Sequence, residues 1–326
     1  MGLRIGTVGS GAIGTYYGAK LAHAGSDVHF LMRGDLSEVL RNGIFVRGEG
    51  ENFRVAPINC YNSTKEIGPC DLVIVAVKAT SNSDLVDRVP PLLHEQTMLL
   101  TLQNGLGNEE FLANHFGAER VLGGLCFIAL NRSSRTEIER YAYGHIVLGE
   151  FDRPSQPRTH KVAAEFTRAA VTCTVVDDLP LERWRKLIWN IPLNGLSILG
   201  GGIDTAAIIG DKDLRQAMLA LMDEVIAAAQ KCGHALPSDA WREHIKRTET
   251  MGGYKPSTLQ DWEAGRPLEI EPIWGEPLRR AVAAGGQMPR TEMIYAVLKK
   301  LDHNRAGAKN LTGLTGQVQT SQCEKR

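Results

Sequence analysis

The pattern of apolar positions divides the chain into two parts. In the first part, short apolar runs alternate with turns and helix-like segments, as in parallel strands that are buried on both faces of a sheet. Strands are predicted over residues 3–8, 27–32, 71–77, 97–102, 121–129, 141–148 and 173–176, with shorter ones over 44–46 and 53–55. Helices are predicted between them over residues 15–24, 82–93 and 161–170.

The second part of the chain has helical periodicity throughout. Helices are predicted over residues 181–199, 214–232, 238–250, 258–263, 270–284 and 291–302. Because 326 residues exceed one comfortable core, two domains are expected. The sequence predicts an α/β domain with a mainly parallel sheet over 1–178, a linker near 177–180 and an all-α C-terminal domain over 179–303. Residues 304–326 lose the periodicity and are predicted to form a flexible tail.

A glycine-rich turn stands between the first predicted strand and the first predicted helix. Its residues are Gly9, Ser10, Gly11, Ala12, Ile13 and Gly14. In this strand-turn-helix setting, Gly9 permits the tight turn, Gly11 lets a pyrophosphate approach the backbone, and Gly14 lets the helix pack closely on the strand. The helix amides then point at negative charge. We therefore expect a Rossmann-like N-terminal domain in which these six residues bind a dinucleotide; the alternative is an ordinary glycine turn.

Three polar residues follow predicted strands and are candidates for the same ligand. Arg33 stands where a fold that prefers NAD usually has an acidic residue, and a guanidinium can hold a 2′-phosphate through two hydrogen bonds. It therefore favours NADPH, although Asp35 is close enough to weaken that preference and Arg33 could be a surface residue. Lys78 and Asn104 each follow a buried strand, at the edge of a doubly wound sheet where ligands bind. A solvated lysine and an ordinary Asn-Gly turn are the alternatives.

Lys186, Asn190 and Asn194 are four residues apart in the helix predicted over 181–199 and share one face. An ammonium and two carboxamides in a row suit an oxygen-rich ligand, whereas the alternative is a solvated polar stripe on an ordinary amphipathic helix. Pro192 removes one helical hydrogen bond and is expected to kink the helix, which leaves the direction of Asn194 open.

Other polar residues in the chain have structural explanations. His145, alone on a strand, is more consistent with a structural role than with catalysis. Ser257 and Gln260 have the spacing of a capping box at the start of a helix. Glu269 and Glu271 are ordinary residues for a first helical turn.

Composition and charge restrict the kind of partner. The chain has 37 basic and 37 acidic side chains, so no overall field favours nucleic acid or a membrane surface. Six scattered cysteines lack the spacing of a metal site and suit reduced thiols in the cytoplasm. No apolar run reaches the ~18 residues that span a bilayer. A small-molecule partner is favoured; the helical domain could bury a second copy in a homodimer or stand alone.

Taken together, these segments resemble the ketopantoate reductase (2-dehydropantoate 2-reductase) family over about residues 3–300. The resemblance is carried by the glycine turn, the strand ending in Lys78, the segment 103–107, the segment 184–187 with its two asparagines, and the segments 257–261 and 269–271. It implies NADPH-dependent reduction of 2-dehydropantoate to (R)-pantoate in pantothenate and coenzyme A biosynthesis. It also implies Lys186 as general acid and Glu269 as partner carboxylate. The remaining roles that it implies are contact with substrate or nicotinamide for Asn104, Asn190, Asn194 and Ser257, and contact with the adenosine phosphate for Arg33 and Lys78.

The chain departs from the family pattern on the substrate side. Thr258 stands where methionine is usual, and Trp274 stands where asparagine is commoner. Two alternative functions therefore remain open: a related NADP-dependent reductase of another 2-oxo acid, and a catalytically inactive protein that senses NADPH.

Overall fold

The computed structural model describes residues 2–34 and 36–320, with side chains through residue 305. The chain divides into two compact units, Met1–Arg183 and Trp184–Arg326. The division lies inside helix α7 (Leu179–Leu199), whereas the sequence placed a linker at 177–180. The linker residue Asp178 instead caps this helix, because its Oδ1 accepts a hydrogen bond from the backbone N–H of Leu181 at 2.9 Å.

The first unit is built on one sheet. Its strands are β1 (Arg4–Val8), β2 (Asp27–Leu31), β3 (Ile44–Gly48), β4 (Glu51–Val55), β5 (Asn59–Tyr61), β6 (Leu72–Val75), β7 (Met98–Thr101), β8 (Val121–Arg132), β9 (Glu137–Glu150) and β10 (Cys173–Val175). The strand order is β4-β3-β9-β8-β7-β6-β1-β2-β5, with β10 paired to β9. Pairing is parallel except between β3 and β4 and between β8 and β9, which confirms the mainly parallel sheet.

Helices cover both faces of this sheet. They are α1 (Ala12–His23), α2 (Leu36–Asn42), α3 (Thr64–Ile67), α4 (Leu85–Arg88), α5 (Asn108–Phe116) and α6 (Pro157–Arg168). The continuous helix predicted over 82–93 is wrong: a 3₁₀ turn (Ala79–Asp84), α4 and a second 3₁₀ turn (Pro90–Leu92) replace it. Pro90 and Pro91 account for part of the break, since neither can donate a helical hydrogen bond.

Alternating side chains of the central strands form two separate cores. On β6, Leu72 and Ile74 belong to the core that includes Tyr17 and Phe166 of α1 and α6. Val73 and Val75 belong to the core that includes Leu112 of α5. Period-2 alternation with both faces apolar is what a parallel strand covered by helices requires, which explains the continuous apolar runs of the sequence.

The second unit is helical. After α7 come α8 (Thr205–Gly210), α9 (Lys212–Lys231), α10 (Trp241–Thr250), α11 (Ser257–Glu263), α12 (Glu276–Ala283) and α13 (Pro289–Thr320). A π-helical turn (Glu271–Gly275) precedes α12. The backbone is helical to Thr320, although the sequence loses its helical periodicity at residue 304; residues 321–326 lie outside the described part, and the flexible tail over 304–326 stays a prediction. Over the described residues, no helix is long and apolar enough to cross a membrane.

Candidate active site

The sheet places the glycine turn at a topological switch point. β1 lies between β2 and β6, and the chain leaves β1 toward β2 but returns on the other side at β6. The backbone N–H of Ala76, just after β6, donates to the carbonyl of Val8 at 2.8 Å. In doubly wound sheets ligands bind outside the carboxyl ends of strands at such a point. The glycine turn and Lys78 both follow strands that end there.

The three glycines of the turn contribute to its structure in different ways. Gly9 has φ +115°, and a Cβ there would overlap the backbone of Ala76 and Val77. A Cβ on Gly14 would overlap the carbonyl of Gly9, so α1 packs on the turn only because residue 14 lacks a side chain. A Cβ on Gly11 would meet no described atom within 4 Å. Gly9 and Gly14 thus shape the turn, whereas Gly11 leaves its backbone accessible.

The first turn of α1 keeps its amides available to an anion. Its cap residue Gly11 has no side chain that could accept from these amides, and the turn contains no acidic residue. From β8, the Nη1 of Arg132 donates to the carbonyl of Ser10 at 2.7 Å and holds the turn in place. The sequence analysis missed Arg132, because nothing local links a residue 122 positions away to the turn. Helix amides with a fixed backbone fit the pyrophosphate of a dinucleotide.

Arg33 and Lys78 lie near the ends of β2 and β6. Arg33 is exposed, and its Nη2 lies 2.9 Å from the Oδ2 of Asp84 at the end of the 3₁₀ turn Ala79–Asp84. The same carboxylate oxygen lies 3.3 Å from Arg88. Lys78 is half-buried and immediately precedes that turn. The exposed arginine of the sequence analysis therefore has a protein partner, and Asp35 lies outside the described residues.

Asn104 lies in the segment that joins β7 to α5 and is fixed by hydrogen bonds; residues 103–109, which include the first two residues of α5, are called the Asn104 turn below. Gly105 and Gly107 adopt φ of +81° and +92°. The side chain of Asn108 donates to the carbonyl of Asn104 at 2.9 Å. Gln103 accepts a hydrogen bond from the hydroxyl of Thr101 and donates to Asn82, which in turn donates to Asn108. The turn that carries Asn104 is held by side chains that the sequence analysis did not identify.

His145 has a structural environment. Its ring lies 4.6 Å from the ring of Phe127 on the neighbouring strand, with an interplanar angle of 5°. Such stacking is a packing contact between cross-strand neighbours, and it supports the structural interpretation.

On α7 the predicted polar stripe is not solvated. Asn190 is 7% exposed and Asn194 is 1% exposed, and Lys186 is half-buried. The solvated-stripe alternative is therefore wrong for the two asparagines. Their carboxamides also differ in how they are used. The Nδ2 of Asn194 donates to the carbonyl of Asn190 at 2.9 Å, whereas the side chain of Asn190 has no hydrogen-bond partner among the described residues.

The capping box predicted at Ser257 is wrong. Pro256 occupies the cap position, Ser257 is the first helical residue of α11, and Gln260 donates to the carbonyl of Lys255 at 2.9 Å. The orphan amide of Thr258 is satisfied from another helix, because it donates to Oδ1 of Asn194 at 3.0 Å. Ser257 is left exposed at the start of α11, with a hydroxyl that has no partner in the described part of the chain.

The two glutamates near residue 270 are separated by their surroundings. Glu269 is 9% exposed and lies just before the π-helical turn. Glu271 is exposed and accepts hydrogen bonds from Arg279 at 2.8 Å and Tyr295 at 2.7 Å. Burial raises the pKa of Glu271, but these two donors outweigh burial and the pKa lies below its usual value. Glu271 is thus occupied by surface pairs, and Glu269 is the buried carboxylate of this segment.

Trp274 is a packing residue of the second unit. It is fully buried, and its Nε1 donates to the carbonyl of Ile191 at 3.1 Å. A Cβ on Gly195 would lie 2.9 Å from the Cγ2 of Ile294, so the small residue on α7 leaves space for that side chain of α13, and it would only contact the indole nitrogen, at 3.6 Å. Despite Pro192, α7 continues to Leu199, with the Trp274 indole bonded beside the proline.

Comparison with known proteins decides between the fold families that share a glycine turn. The family model of ketopantoate reductase PanE/ApbA matches residues 5–153, and the model of its C-terminal part matches residues 178–302. The chain belongs to the ketopantoate reductase family.

Individual members of the family match over nearly the whole chain. A 2-dehydropantoate 2-reductase of Nostoc sp. is 37% identical and covers 92% of this chain and 96% of its own length. The structure of 2-dehydropantoate 2-reductase from Geobacter metallireducens is 42% identical, with a TM-score of 0.89, and covers 92% of this chain and 100% of its own. The enzyme from Methylococcus capsulatus is 31% identical, with a TM-score of 0.85 and coverages of 92% and 97%.

Membership of the ketopantoate reductase family confirms the resemblance, the fold and the enzyme class predicted from the sequence. The chain is an oxidoreductase that acts on CH–OH groups, uses a nicotinamide cofactor and takes a small 2-oxo acid as substrate. The glycine turn and the uncapped first turn of α1 fit that cofactor.

Proposed function

We propose that this protein reduces 2-dehydropantoate to (R)-pantoate with NADPH, as a step of pantothenate and coenzyme A biosynthesis. The observation that carries the proposal is the arrangement on α7: a half-buried Lys186 is followed one turn later by a buried Asn190 whose carboxamide makes no hydrogen bond to the residues that the structure describes. A carboxamide that the described residues leave without a partner can donate to and accept from a ligand, which favours a ligand role. The identity to named 2-dehydropantoate 2-reductases supports the substrate.

In the proposed reaction Lys186 is the general acid. NADPH, held at the glycine turn, would supply the hydride that reduces the keto carbon, and the keto oxygen would then carry negative charge. The ammonium of Lys186 stabilises that charge and donates the proton that completes the hydroxyl. Glu269 orients the ammonium or accepts a hydrogen bond from the substrate hydroxyl. Because a carboxylate repels a 2-oxo acid, this role of Glu269 requires the cationic lysine beside the same ligand.

The remaining polar groups of the proposal bind rather than react. We propose that Asn104, Asn190 and Ser257 contact the substrate or nicotinamide. Asn194, for which the family resemblance implies the same role, is instead a positioning residue, because both ends of its carboxamide are bonded inside the protein.

NADPH rather than NADH is proposed from the cationic groups at the ends of β2 and β6. The residues assigned to the cofactor are Gly9, Ser10, Gly11, Ala12, Ile13, Gly14, Arg33, Lys78 and Asn104. Arg33 and Lys78 would hold the adenosine phosphate, since each carries a positive charge near the switch point. The carboxylate of Asp84 competes for Arg33 and has to be displaced or shared when the phosphate binds.

We also propose a cytoplasmic homodimer. The five cysteines described are free, which suits a reducing compartment. Met293 and Val297, four residues apart on α13, are 63% and 40% exposed, an apolar pair that a second copy would cover. Light scattering of the purified protein measures the dimer directly; a monomeric mass at micromolar concentration would contradict it.

A substrate panel tests the proposed function. Oxidation of NADPH is followed at the nicotinamide absorbance with 2-dehydropantoate, pyruvate, 2-oxoisovalerate and phenylglyoxylate. The proposal expects the highest kcat/KM with 2-dehydropantoate. Preference for another 2-oxo acid would replace the substrate but keep the enzyme class, and tight NADPH binding without turnover of any of them would favour the sensor alternative.

A further inference from the structure

A buried ion pair joins Arg183 of α7 to Glu109 in the first turn of α5. Each residue is 4% exposed. Taking two charges out of water carries a free-energy cost that their mutual attraction often fails to offset. The Nε of Arg183, moreover, has no hydrogen-bond partner in the part of the chain that the structure describes. Stabilisation of the fold is therefore a weak explanation for this buried ion pair, and its contacts indicate a role in positioning the Asn104 turn.

The guanidinium of Arg183 donates hydrogen bonds to both ends of the Asn104 turn. Its Nη1 donates to the carbonyl of Gln103, the first residue of the turn, at 2.8 Å. Its Nη2 donates to the carboxylate of Glu109, the last residue of the turn. The planar group holds two donors at a fixed angle, so the two ends of the turn are fixed relative to each other.

The turn needs such a restraint because its own backbone is permissive. Gly105 and Gly107 both have positive φ, and glycine adopts many other conformations at little cost. The side-chain bonds of Gln103 and Asn108 restrain the turn from within, but both are made by neutral groups. The charged pair is the stronger restraint, since charge-assisted hydrogen bonds are about twice as strong as neutral ones.

The sheet leaves space for this pair at one position. Gly123 of β8 lies beside it, and a Cβ there would overlap the Oε1 of Glu109 and the side chain of Leu179. The ion pair between Glu109 of α5 and Arg183 of α7 therefore fits against β8 because residue 123 lacks a side chain.

We propose that Arg183 and Glu109 are positioning residues that fix the Asn104 turn for the nicotinamide riboside of the cofactor. This rests on the proposed function, which makes Asn104 a cofactor contact. The pair acts through the turn and touches neither substrate nor cofactor. Disrupting the ion pair should weaken binding of the nicotinamide half of the cofactor. Binding of the adenosine half, at the glycine turn and Arg33, should be unaffected.

The experiment compares two ligands by calorimetry: NADPH, and 2′,5′-ADP, which carries the adenosine phosphates without nicotinamide. The variants are Arg183→Lys, Glu109→Gln and the double variant Arg183→Met with Glu109→Gln. Arg183→Lys keeps the positive charge but loses the planar group with two donors at a fixed angle. The double variant leaves no uncompensated buried charge, so it remains informative if a single variant fails to fold. Glu150→Gln is the matched control, because Glu150 is also a buried carboxylate of the same unit paired with an arginine, Arg158.

The variants are expected to bind NADPH on the order of 10- to 100-fold more weakly, the range that corresponds to losing a hydrogen bond to a charged group. Binding of 2′,5′-ADP should stay at the wild-type value, and Glu150→Gln should match wild type for both ligands. Equal weakening of both ligands, or wild-type NADPH affinity in the folded double variant, would overturn the proposal. Because neither ligand needs a 2-oxo acid, these outcomes are separate from any failure of the proposed substrate.

Discussion

The side-chain oxygen of Asn194 accepts a hydrogen bond from the backbone N–H of Thr258 at 3.0 Å, so a residue in the middle of α7 caps the first turn of α11. The other end of the same carboxamide donates to the carbonyl of Asn190. Asn194 therefore joins two helices and fixes the place where Ser257 begins α11. Asn190, one turn earlier, makes no such side-chain bond among the described residues.

This contrast predicts that substitution of Asn194 lowers stability, whereas substitution of Asn190 lowers kcat/KM. Asn194→Ala leaves a buried helix amide without its acceptor and should lower the free energy of unfolding by about 1–3 kcal/mol. Asn190→Ala removes no internal hydrogen bond and should leave stability nearly unchanged, but should lower kcat/KM on the order of 10²-fold if its carboxamide contacts the substrate. Urea unfolding and steady-state kinetics of both variants measure the two effects. The reverse pattern would mean that the substrate contact was assigned to the wrong asparagine.

A second prediction concerns the choice between NADPH and NADH. Arg33→Ala should raise the KM for NADPH about tenfold, or ~1.4 kcal/mol, and leave the KM for NADH unchanged. Asp84→Asn should lower the KM for NADPH, because it releases Arg33 from its carboxylate partner. Both effects should shrink at high salt, since the groups are exposed.

Arg47→Ala is the matched control for this experiment. Arg47 is also exposed and paired with a carboxylate in the first unit, at 2.7 Å from Glu137, but lies on β3, away from the switch point. It should change neither KM. Equal losses with NADPH and NADH in Arg33→Ala would contradict a phosphate role for that arginine.

A third prediction concerns stability in acid. The pKa of His244 on α10 is lowered to about 4, mainly by burial and also by the positive charge of Arg247, against the opposing charge of Glu243. The unfolded chain has the ordinary histidine value of about 6.5 and therefore binds the proton more tightly. Stability from keeping His244 neutral is fully present above about pH 6.5 and is lost as the pH falls toward 4, by about 3 kcal/mol.

Replacing this histidine should flatten that dependence. His244→Gln should lose less unfolding free energy between pH 7 and pH 4.5 than wild type does, and the exposed His303→Gln should behave as wild type. Chemical unfolding at several pH values measures both. An unchanged pH slope in His244→Gln would show that other groups cause the loss of stability in acid.

Sequence reasoning succeeded where the physical signal is local. The glycine turn, the apolar parallel strands and the helical second half follow from spacing and periodicity, and the structure contains all three. It failed at the capping box of Ser257, because Asn194, 64 positions away from Thr258, supplies the cap instead. It also missed α2, whose 7 residues give too short a period to detect.

Most of the groups that hold the candidate site were beyond the reach of the sequence. Arg183 pairs with Glu109 at a separation of 74 residues, and Arg132 reaches Ser10 over 122. Only the fold brings such partners together. Similarly, the residue pattern alone did not separate Glu269 from Glu271; only the family resemblance selected Glu269, and the structure adds the burial of Glu269 and the ion pair of Glu271.

The measurement that tests the central claim most directly is kcat for wild type and Lys186→Ala with 2-dehydropantoate, together with NADPH affinity measured by calorimetry on both proteins. The account predicts that kcat falls on the order of 10² to 10⁴, because the developing alkoxide loses its acid, while NADPH affinity stays at the wild-type value. A folded Lys186→Ala enzyme with wild-type kcat would contradict the assignment of Lys186 as the proton donor.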